Sequence, residues 1–279
     1  WASPYFFQTN NLRNILLQVG VVGMIAVGQT FVIIAGGIDL SVGSMIGETG
    51  VVAGLVALHP DAGAFLPIFA AIAAGGIFGF VNGAVTAFFN IPSFITTLAS
   101  LSMLRGLALI ITDTQNLYGF NDAFKYVGAG SIAGLPIIVW LFLLLLIGAY
   151  IFQQHAPFAR HMYAVGGDRR AAALFGISIR RVEVVLFALC GAIAGLAGAV
   201  LAARVASAEP NAGMGFELTA IAAVIIGGTS LNGGEGGVQR TFVGVLILGV
   251  INNGLNLLAV PSYYQQVVAG LVIMLAVIL

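Results

Sequence analysis

The stretch RHMYAVGGDRRAAALFGISIRR, residues 160–181, holds five of the ten basic residues in the 279-residue chain. Apolar runs long enough to cross a bilayer lie on either side of it. Short membrane-protein loops that are rich in arginine stay on the cytoplasmic side. The stretch therefore predicts a cytoplasmic loop, about residues 156–181, and this loop fixes the orientation of every other segment.

A short helix is predicted inside this loop. Asp168 suits its N-cap, because a carboxylate can accept from the free amide groups of the first turn. Gly176 suits the left-handed residue that ends a helix. The arginine pair 169–170 lies at the positive end of the helix dipole, where it is unfavourable. Two interpretations stay open: a docking helix, anchored by Leu174 and Phe175, whose arginines contact or steer an acidic partner, or a basic loop that only sets topology.

The composition predicts a membrane protein. The chain is 60% hydrophobic and 7% charged, whereas soluble domains carry about 25% charged residues. Repeated apolar runs of around 20 residues predict an all-α, polytopic helical protein, with residues 1–279 as one transmembrane domain. The formal net charge is zero, which argues against a nucleic-acid partner. The residue spacings predict no catalytic set and no metal site.

Nine membrane spans are predicted, separated by turns and by two glycine-rich breaks, GGIDLSVGS (36–44) and GGTSLNGGEGG (227–237). The breaks resemble each other, which indicates either an internal repeat of the kind found in transporters or chance. The predicted spans are 15–35, 42–58, 65–89, 93–112, 136–153, 182–203, 217–228, 241–258 and 265–279.

Alternation of the spans places 113–135, the longest external loop, and 207–215 outside. The two breaks and the turn at 90–92 then lie at or near the cytoplasmic side. Six basic residues fall inside and three outside, in keeping with the arginine-rich loop. Trp1 falls outside, so we expect one further span before it and ten in total.

Polar side chains inside the apolar runs are candidates for a translocation path. Amides donate and accept hydrogen bonds, which suits a neutral, polyhydroxylated solute. The alternatives are a helix cap at Asp39 and hydrogen bonds between helices for the amides. Glu48 and Arg105 can pair with each other or with loop groups. The path candidates are Asp39, Ser41, Gln29, Asn82, Asn90, Asn252, Asn253 and Asn256.

The chain resembles the permeases of bacterial ATP-binding-cassette (ABC) importers for monosaccharides, the group of ribose, xylose and galactose permeases. The resemblance covers nearly the entire chain. It is carried by GQTFVIIAGGIDLSVGS (28–44), NIPSFITTLASLSMLRG (90–106), YAVGGDRRAAALFGI (163–177), ASAEPNAGMGFELTAIAAVIIGGTSLNGGEG (206–236) and INNGLNLLAVPSYYQ (251–265).

This resemblance implies a multi-pass protein of the bacterial inner membrane that works by alternating access. It implies a second permease copy, two cytoplasmic ATPase subunits that hold ATP and Mg, and a periplasmic sugar-binding protein. The permease itself would be no enzyme and carry no cofactor. The segment that engages the ATPase would be Gly166, Gly167, Asp168, Arg169, Arg170, Ala171, Ala172, Leu174, Phe175, Gly176 and Ile177.

Two positions depart from the family pattern. Asp168 stands where the family usually has asparagine, and both residues are good caps. Arg240-Thr241 stands where Gly-Thr is common, so the role of that loop transfers less directly. Other classes stay open: an ABC permease for nucleosides or branched-chain amino acids, and a secondary carrier. Too few acids lie within the spans for the proton relay that such a carrier usually needs.

Overall fold

The computed structural model describes residues 5–261, 264, 265, 267, 268, 270–272 and 274. Residues 1–4 lie outside this part, and so do residues 275–279, which form the end of the predicted ninth span. Its helices are α1 (Thr9–Ile34), α2 (Val42–Ala57), α3 (Phe65–Phe89), α4 (Ser93–Ile111), α5 (Asp122–Ala129), α6 (Ile137–His155), α7 (Pro157–Gly167), α8 (Arg169–Leu174), α9 (Ile179–Val205), α10 (Phe216–Ile226) and α11 (Val238–Leu257), with a 3-10 turn at Pro60–Ala62. Four short strands form two antiparallel pairs: β1 (Leu117–Tyr118) with β4 (Ser207–Ala208), and β2 (Ser131–Ile132) with β3 (Leu135–Pro136).

The prediction of an all-α, polytopic membrane protein is confirmed. In the described residues, six helices are long and apolar enough to cross a bilayer: α1, α3, α4, α6, α9 and α11. Helices α2 and α10 are apolar but shorter. Each of the first eight predicted spans coincides with one of these eight helices.

Helix α1 lies at the centre of the bundle. Its most apolar window is 83% buried, against 28% for the windows of α3, α4 and α6. It packs against α6, α9, α10 and α11. A helix that is apolar all round and buried by other helices belongs to the core, whereas the exposed apolar sides of α3, α4 and α6 suit lipid or further protein.

Helices α3 and α9 make the most extensive helix contact, along a glycine seam formed by Gly75, Gly79, Gly191 and Gly195. A Cβ on Gly191 would lie 2.1 Å from the Gly75 carbonyl oxygen, and one on Gly195 would lie 2.2 Å from that of Ala71. Glycines spaced four apart let helix backbones approach this closely in membranes.

The predicted external loop 113–135 contains regular secondary structure. It contains α5, whose N-cap is Asn121; the Asn121 side chain accepts from the Phe124 backbone amide at 2.9 Å. The backbone amide of Asn121 donates to the Ala57 carbonyl at 2.9 Å, and β1 pairs with β4. Three segments that alternation places outside therefore meet at one end of the bundle.

Candidate functional site

The arginine-rich loop folds into two helices, and the first of them was missed by the sequence analysis. Helix α7 begins with Pro157 at its first position, which suits proline because that amide has no helical partner. Its buried residues are Ala159, Met162 and Val165. These lie three apart along the helix, so they share one face, and this spacing is the signal that could have revealed the helix.

Helix α8 has the predicted caps. The Oδ1 atom of Asp168 accepts from the amides of Arg170 at 2.8 Å and Ala171 at 3.0 Å. At the other end, Gly176 has a φ of +79°. Its amide donates to the Ala173 carbonyl, and the amide of Ile177 donates to that of Ala172, both at 3.0 Å. This is a Schellman turn. The helix ends at Leu174, and Phe175 is its C-cap residue.

The surface of α8 combines apolar and basic groups. Leu174 is 89% exposed and Phe175 is 86% exposed. Arg169 forms an ion pair of 2.7 Å with Glu183 of α9, while Arg170 is exposed. Two large apolar side chains this exposed beside arginines, on a helix with both ends capped, form the type of surface that a partner protein covers.

Behind α8, the loop contacts both glycine-rich breaks at a glycine junction formed by Gly36, Gly166, Gly233 and Gly234. The Gly234 amide donates to the Ile34 carbonyl at 2.8 Å. A Cβ on Gly166 would lie 1.8 Å from that same carbonyl oxygen and 2.6 Å from the Gly234 nitrogen. Gly36, Gly233 and Gly234 all have positive φ. The end of α1, the end of α7 and the second break thus meet through their backbones.

Side chains next to this junction tie α7 to the second break and α6 to the start of α11. The Tyr163 hydroxyl donates to the Gly236 carbonyl at 2.8 Å, and Gln153 Oε1 accepts from the Val238 amide at 2.9 Å. Burial raises the pKa of the Tyr163 hydroxyl, and the charge of Arg240 partly offsets this. The hydroxyl therefore keeps its proton near neutral pH and acts as a donor. Sequence reasoning did not select Tyr163, although it lies in the motif at 163–177.

Three of the predicted path residues form one buried network instead of lining an open channel. Asp39 Oδ1 accepts from the Ser41 amide at 2.9 Å and from its hydroxyl at 2.6 Å. Asn82 Nδ2 donates to Ser41 Oγ at 2.9 Å, and Ser100 donates to Asn82 Oδ1. The network joins the first break to α3 and α4. Ser100, which the sequence analysis did not select, belongs to it.

Asp39 is not the N-cap of α2. The helix begins at Val42 with Ser41 as its cap residue, and no side chain caps it. The carboxylate instead closes the turn that precedes the helix, where an Asp side chain bonds the amide two residues on. Within the described residues its second oxygen, Oδ2, has no hydrogen-bond partner.

Gln29 and Asn253 are also buried in the bundle. Gln29 lies beside Cys190, whose sulfur is 3.9 Å from its Oε1, and its Nε2 has no partner among the described residues. Asn253 forms a reciprocal amide pair with Asn11 at 2.8 and 2.9 Å. The side-chain amides of Asn11 in α1 and Asn253 in α11 bond to each other between the two helices. The alternative interpretation, hydrogen bonding between helices, therefore describes Asn253.

The remaining path candidates lie in separate places. Asn90 ends α3 in the left-handed conformation, with a φ of +53°, and is exposed at the mouth of a cavity beside α8. Asn252 lines a different cavity with Gln18 and Arg204. Asn256 Oδ1 accepts from Gln265 Nε2 at 2.9 Å. A single chain therefore does not bring the eight candidates together in one channel.

Arg105 bonds to loop groups and not to Glu48. Its Nη1 atom donates to the carbonyls of Pro210 at 2.5 Å and Ala212 at 3.0 Å. Of the two alternatives, the loop contact is therefore the one that forms. Glu48 Oε2 has no hydrogen-bond partner in the part of the chain that the structure describes.

The fold and the site define a multi-pass helical membrane protein with an exposed apolar and basic helix at one end. A family model described as the branched-chain amino acid transport system / permease component matches residues 11–277. The chain belongs to this permease family. No solved structure matches it at a significant level.

Curated relatives match almost the whole chain. The ribose import permease protein of Escherichia coli (strain K12) is 44% identical over 280 residues, 99% of this chain and 87% of that protein. The D-allose transport system permease protein of the same strain is 39% identical over 278 residues, covering 100% and 85%. The L-arabinose ABC transporter permease protein of Azospirillum brasilense is 35% identical over 277 residues, covering 99% and 81%. The predicted resemblance to permeases of sugar importers is confirmed.

Proposed function

We propose that this chain is the membrane-spanning permease subunit of an ATP-driven monosaccharide importer in the bacterial inner membrane. A periplasmic binding protein delivers the sugar, a second permease copy completes the path, and two cytoplasmic ATPase subunits hold ATP and Mg. The permease has no catalytic role of its own. One observation carries the proposal: α8 is capped at both ends and presents Leu174 and Phe175 almost fully to water.

Residues 166–177 are proposed as the coupling segment. Closure of the ATPases on ATP would push α8, whose apolar pair would sit in a groove of the ATPase while Arg170 meets an acidic rim. The displacement would pass along α7 to the glycine junction. From there it would reach the end of α1 and the start of α11, because the Gly234–Ile34 and Tyr163–Gly236 hydrogen bonds join these segments.

The proposed path residues take different roles in this mechanism. Asp39, Ser41 and Asn82 hold the first break against α3 and α4, so they would position the inner gate. Asn90 and Asn252 face cavities and are the residues proposed to meet the solute. Gln29, Asn253 and Asn256 contribute polarity near the path.

A branched-chain amino acid is the second candidate solute, since the description of the family names it. The sugar is favoured because the relatives with the matches given above are named for ribose, allose and arabinose. Binding assays on the periplasmic partner with these three sugars and with leucine, isoleucine and valine would decide between the two. Binding of an amino acid and of no sugar would overturn the sugar assignment.

Phe175→Asp tests the coupling segment. It places a charge where we propose a buried ring, so co-purification with the ATPase and sugar uptake should both be lost, while membrane insertion stays normal. Tyr118→Asp is the matched control, because Tyr118 is 64% exposed at the opposite end of the bundle. Normal ATPase binding by the Phe175 variant would refute the proposal.

A further inference from the structure

A cavity of about 340 Å³ opens between α8, the first glycine-rich break and the turn that joins α3 to α4. It lies at the end of the bundle that carries the arginine-rich loop. Its volume falls in the range of small-molecule sites, about 300–1,000 Å³. Its lining includes Gly37, Thr86, Asn90, Phe94, Arg169 and Glu183.

The lining has the chemistry that a monosaccharide requires. Asn90 offers an amide that both donates and accepts, Arg169 offers donors and Glu183 offers acceptors. Phe94 is 49% exposed, so its ring can pack on the apolar face of a sugar. Thr86 lies in α3, and its hydroxyl has no hydrogen-bond partner among the described residues. Because a threonine in a helix has two accessible χ1 rotamers, a bound molecule can recruit this group.

The position of the cavity couples it to the proposed motion. Arg169 is the first residue of α8, Glu183 lies in α9, and Gly37 follows the end of α1. The ion pair of 2.7 Å between Arg169 and Glu183 crosses this region. A molecule that bridges these groups adds contacts that exist only while α8 holds its present position. Binding therefore stabilises this position against displacement of α8.

We propose that this cavity binds a monosaccharide from the cytoplasmic side and that the bound sugar slows import. The proposal rests on the proposed function, since that function places the loop in the cytoplasm and makes the solute a sugar. Its consequence is inhibition of the transporter by its own accumulated product.

The test uses the complete transporter in liposomes, with the ATPases facing the outer solution and the binding protein enclosed. Uptake from the binding-protein side is first measured for ribose, allose and arabinose. The transported sugar is then added on the ATPase side at millimolar concentration, and the initial ATPase rate is recorded. We expect the rate to fall at least twofold.

Thr86→Val removes the hydroxyl at nearly constant shape. Loss of one hydrogen bond, about 1 kcal/mol, corresponds to about a fivefold higher sugar concentration for half-inhibition, measured relative to the variant's own uninhibited rate. Thr96→Val is the matched control: its hydroxyl is also buried and without a described partner, but Thr96 does not line this cavity. It should leave inhibition unaltered.

The outcomes separate the two proposals. If none of the three sugars is transported, the proposed function fails, and this inference fails with it. If a sugar is transported but its presence on the ATPase side does not slow the ATPase, the inhibitory cavity alone is refuted. If Thr86→Val and Thr96→Val change the sugar concentration for half-inhibition equally, or if neither changes it, the inhibitory site lies elsewhere. Either result refutes the assignment to this cavity.

Discussion

The glycine seam and the glycine junction are both built from glycine, but they use it differently. In the seam, Gly75 and Gly191 lie inside two regular helices, and their absent side chains allow the backbones to touch. In the junction, Gly36, Gly233 and Gly234 have positive φ and lie in turns. Only Gly166 of the junction is helical.

This difference separates a fixed contact from one that can change. Two helices in contact along several turns move apart only if the whole contact is lost. A junction of turns held by hydrogen bonds such as Gly234–Ile34 can rearrange through a few dihedral angles. The seam therefore stabilises the bundle, whereas the junction is suited to transmit displacement from α8.

The largest effect is expected at the seam, from Gly191→Ala. The new Cβ would lie 2.1 Å from a backbone oxygen of α3, so the helices must separate. Overpacking of this kind costs about 1–3 kcal/mol or more. We expect a lower melting temperature in detergent and a reduced yield of monodisperse protein, measured by thermal unfolding and size-exclusion chromatography.

Gly76→Ala serves as the control for this change. Gly76 lies in α3, the helix opposite Gly191, but its added Cβ would meet the Ala192 Cβ at 3.7 Å and the Ala188 carbonyl oxygen at 3.9 Å, both ordinary contacts. Alanine is also the better helix former, by about 1 kcal/mol. The control should be as stable as the parent or more so. Equal stability of both variants would show that the seam is not tightly packed.

A smaller effect on stability, but a larger one on transport, is expected at the junction from Gly234→Ala. Gly234 has a φ of +76°, and its Cβ would lie 2.9 Å from Gly167 Cα. We expect a folded protein that binds the ATPase but imports less solute per ATP hydrolysed. Gly228→Ala is the control, since Gly228 has a φ of +83° but no atom within 4 Å of an added Cβ. If both variants lose transport equally, backbone strain and not the junction is the cause.

Tyr163→Phe should have a moderate effect. It removes only the hydroxyl that donates to the Gly236 carbonyl, a bond worth about 1 kcal/mol. We expect solute imported per ATP to fall about fivefold, with ATPase binding unchanged. Tyr150→Phe, on an exposed position of α6, should leave this ratio as in the parent. Parent-like coupling in the Tyr163 variant would remove this residue from the junction mechanism.

Local patterns in the sequence predicted α8 well. The cap at Asp168 and the left-handed residue at Gly176 follow from chain-local chemistry, in which a side chain or backbone bonds a group a few residues away. The eight coincident spans follow from hydropathy for the same reason, since each helix satisfies its own backbone bonds.

The junction and the polar network could not be predicted in this way. Gly166 approaches Gly234 only after α7 and the second break have folded against α1, and no local pattern encodes that meeting. Asp39 was a path candidate with a helix cap as the alternative, because it precedes a helix, but its turn extends to Ser41, and Asn82 and Ser100 complete the network from distant helices. The path candidates were chosen because they are polar residues in apolar runs. Such residues form buried hydrogen bonds as readily as they line a channel.

The smallest effect is expected from Asp39→Asn. Asparagine keeps one oxygen that can accept from the Ser41 amide and hydroxyl, and it places its NH₂ group where Oδ2 now has no described partner. If Asp39 only closes the turn, uptake should stay within about twofold of the parent, since the bonds to one oxygen remain. Asp39→Leu, which removes both oxygens and leaves the Ser41 donors unpaired, should lower thermal stability. A large loss of uptake in the asparagine variant, with parent-like stability, would instead show that the carboxylate acts directly in the path.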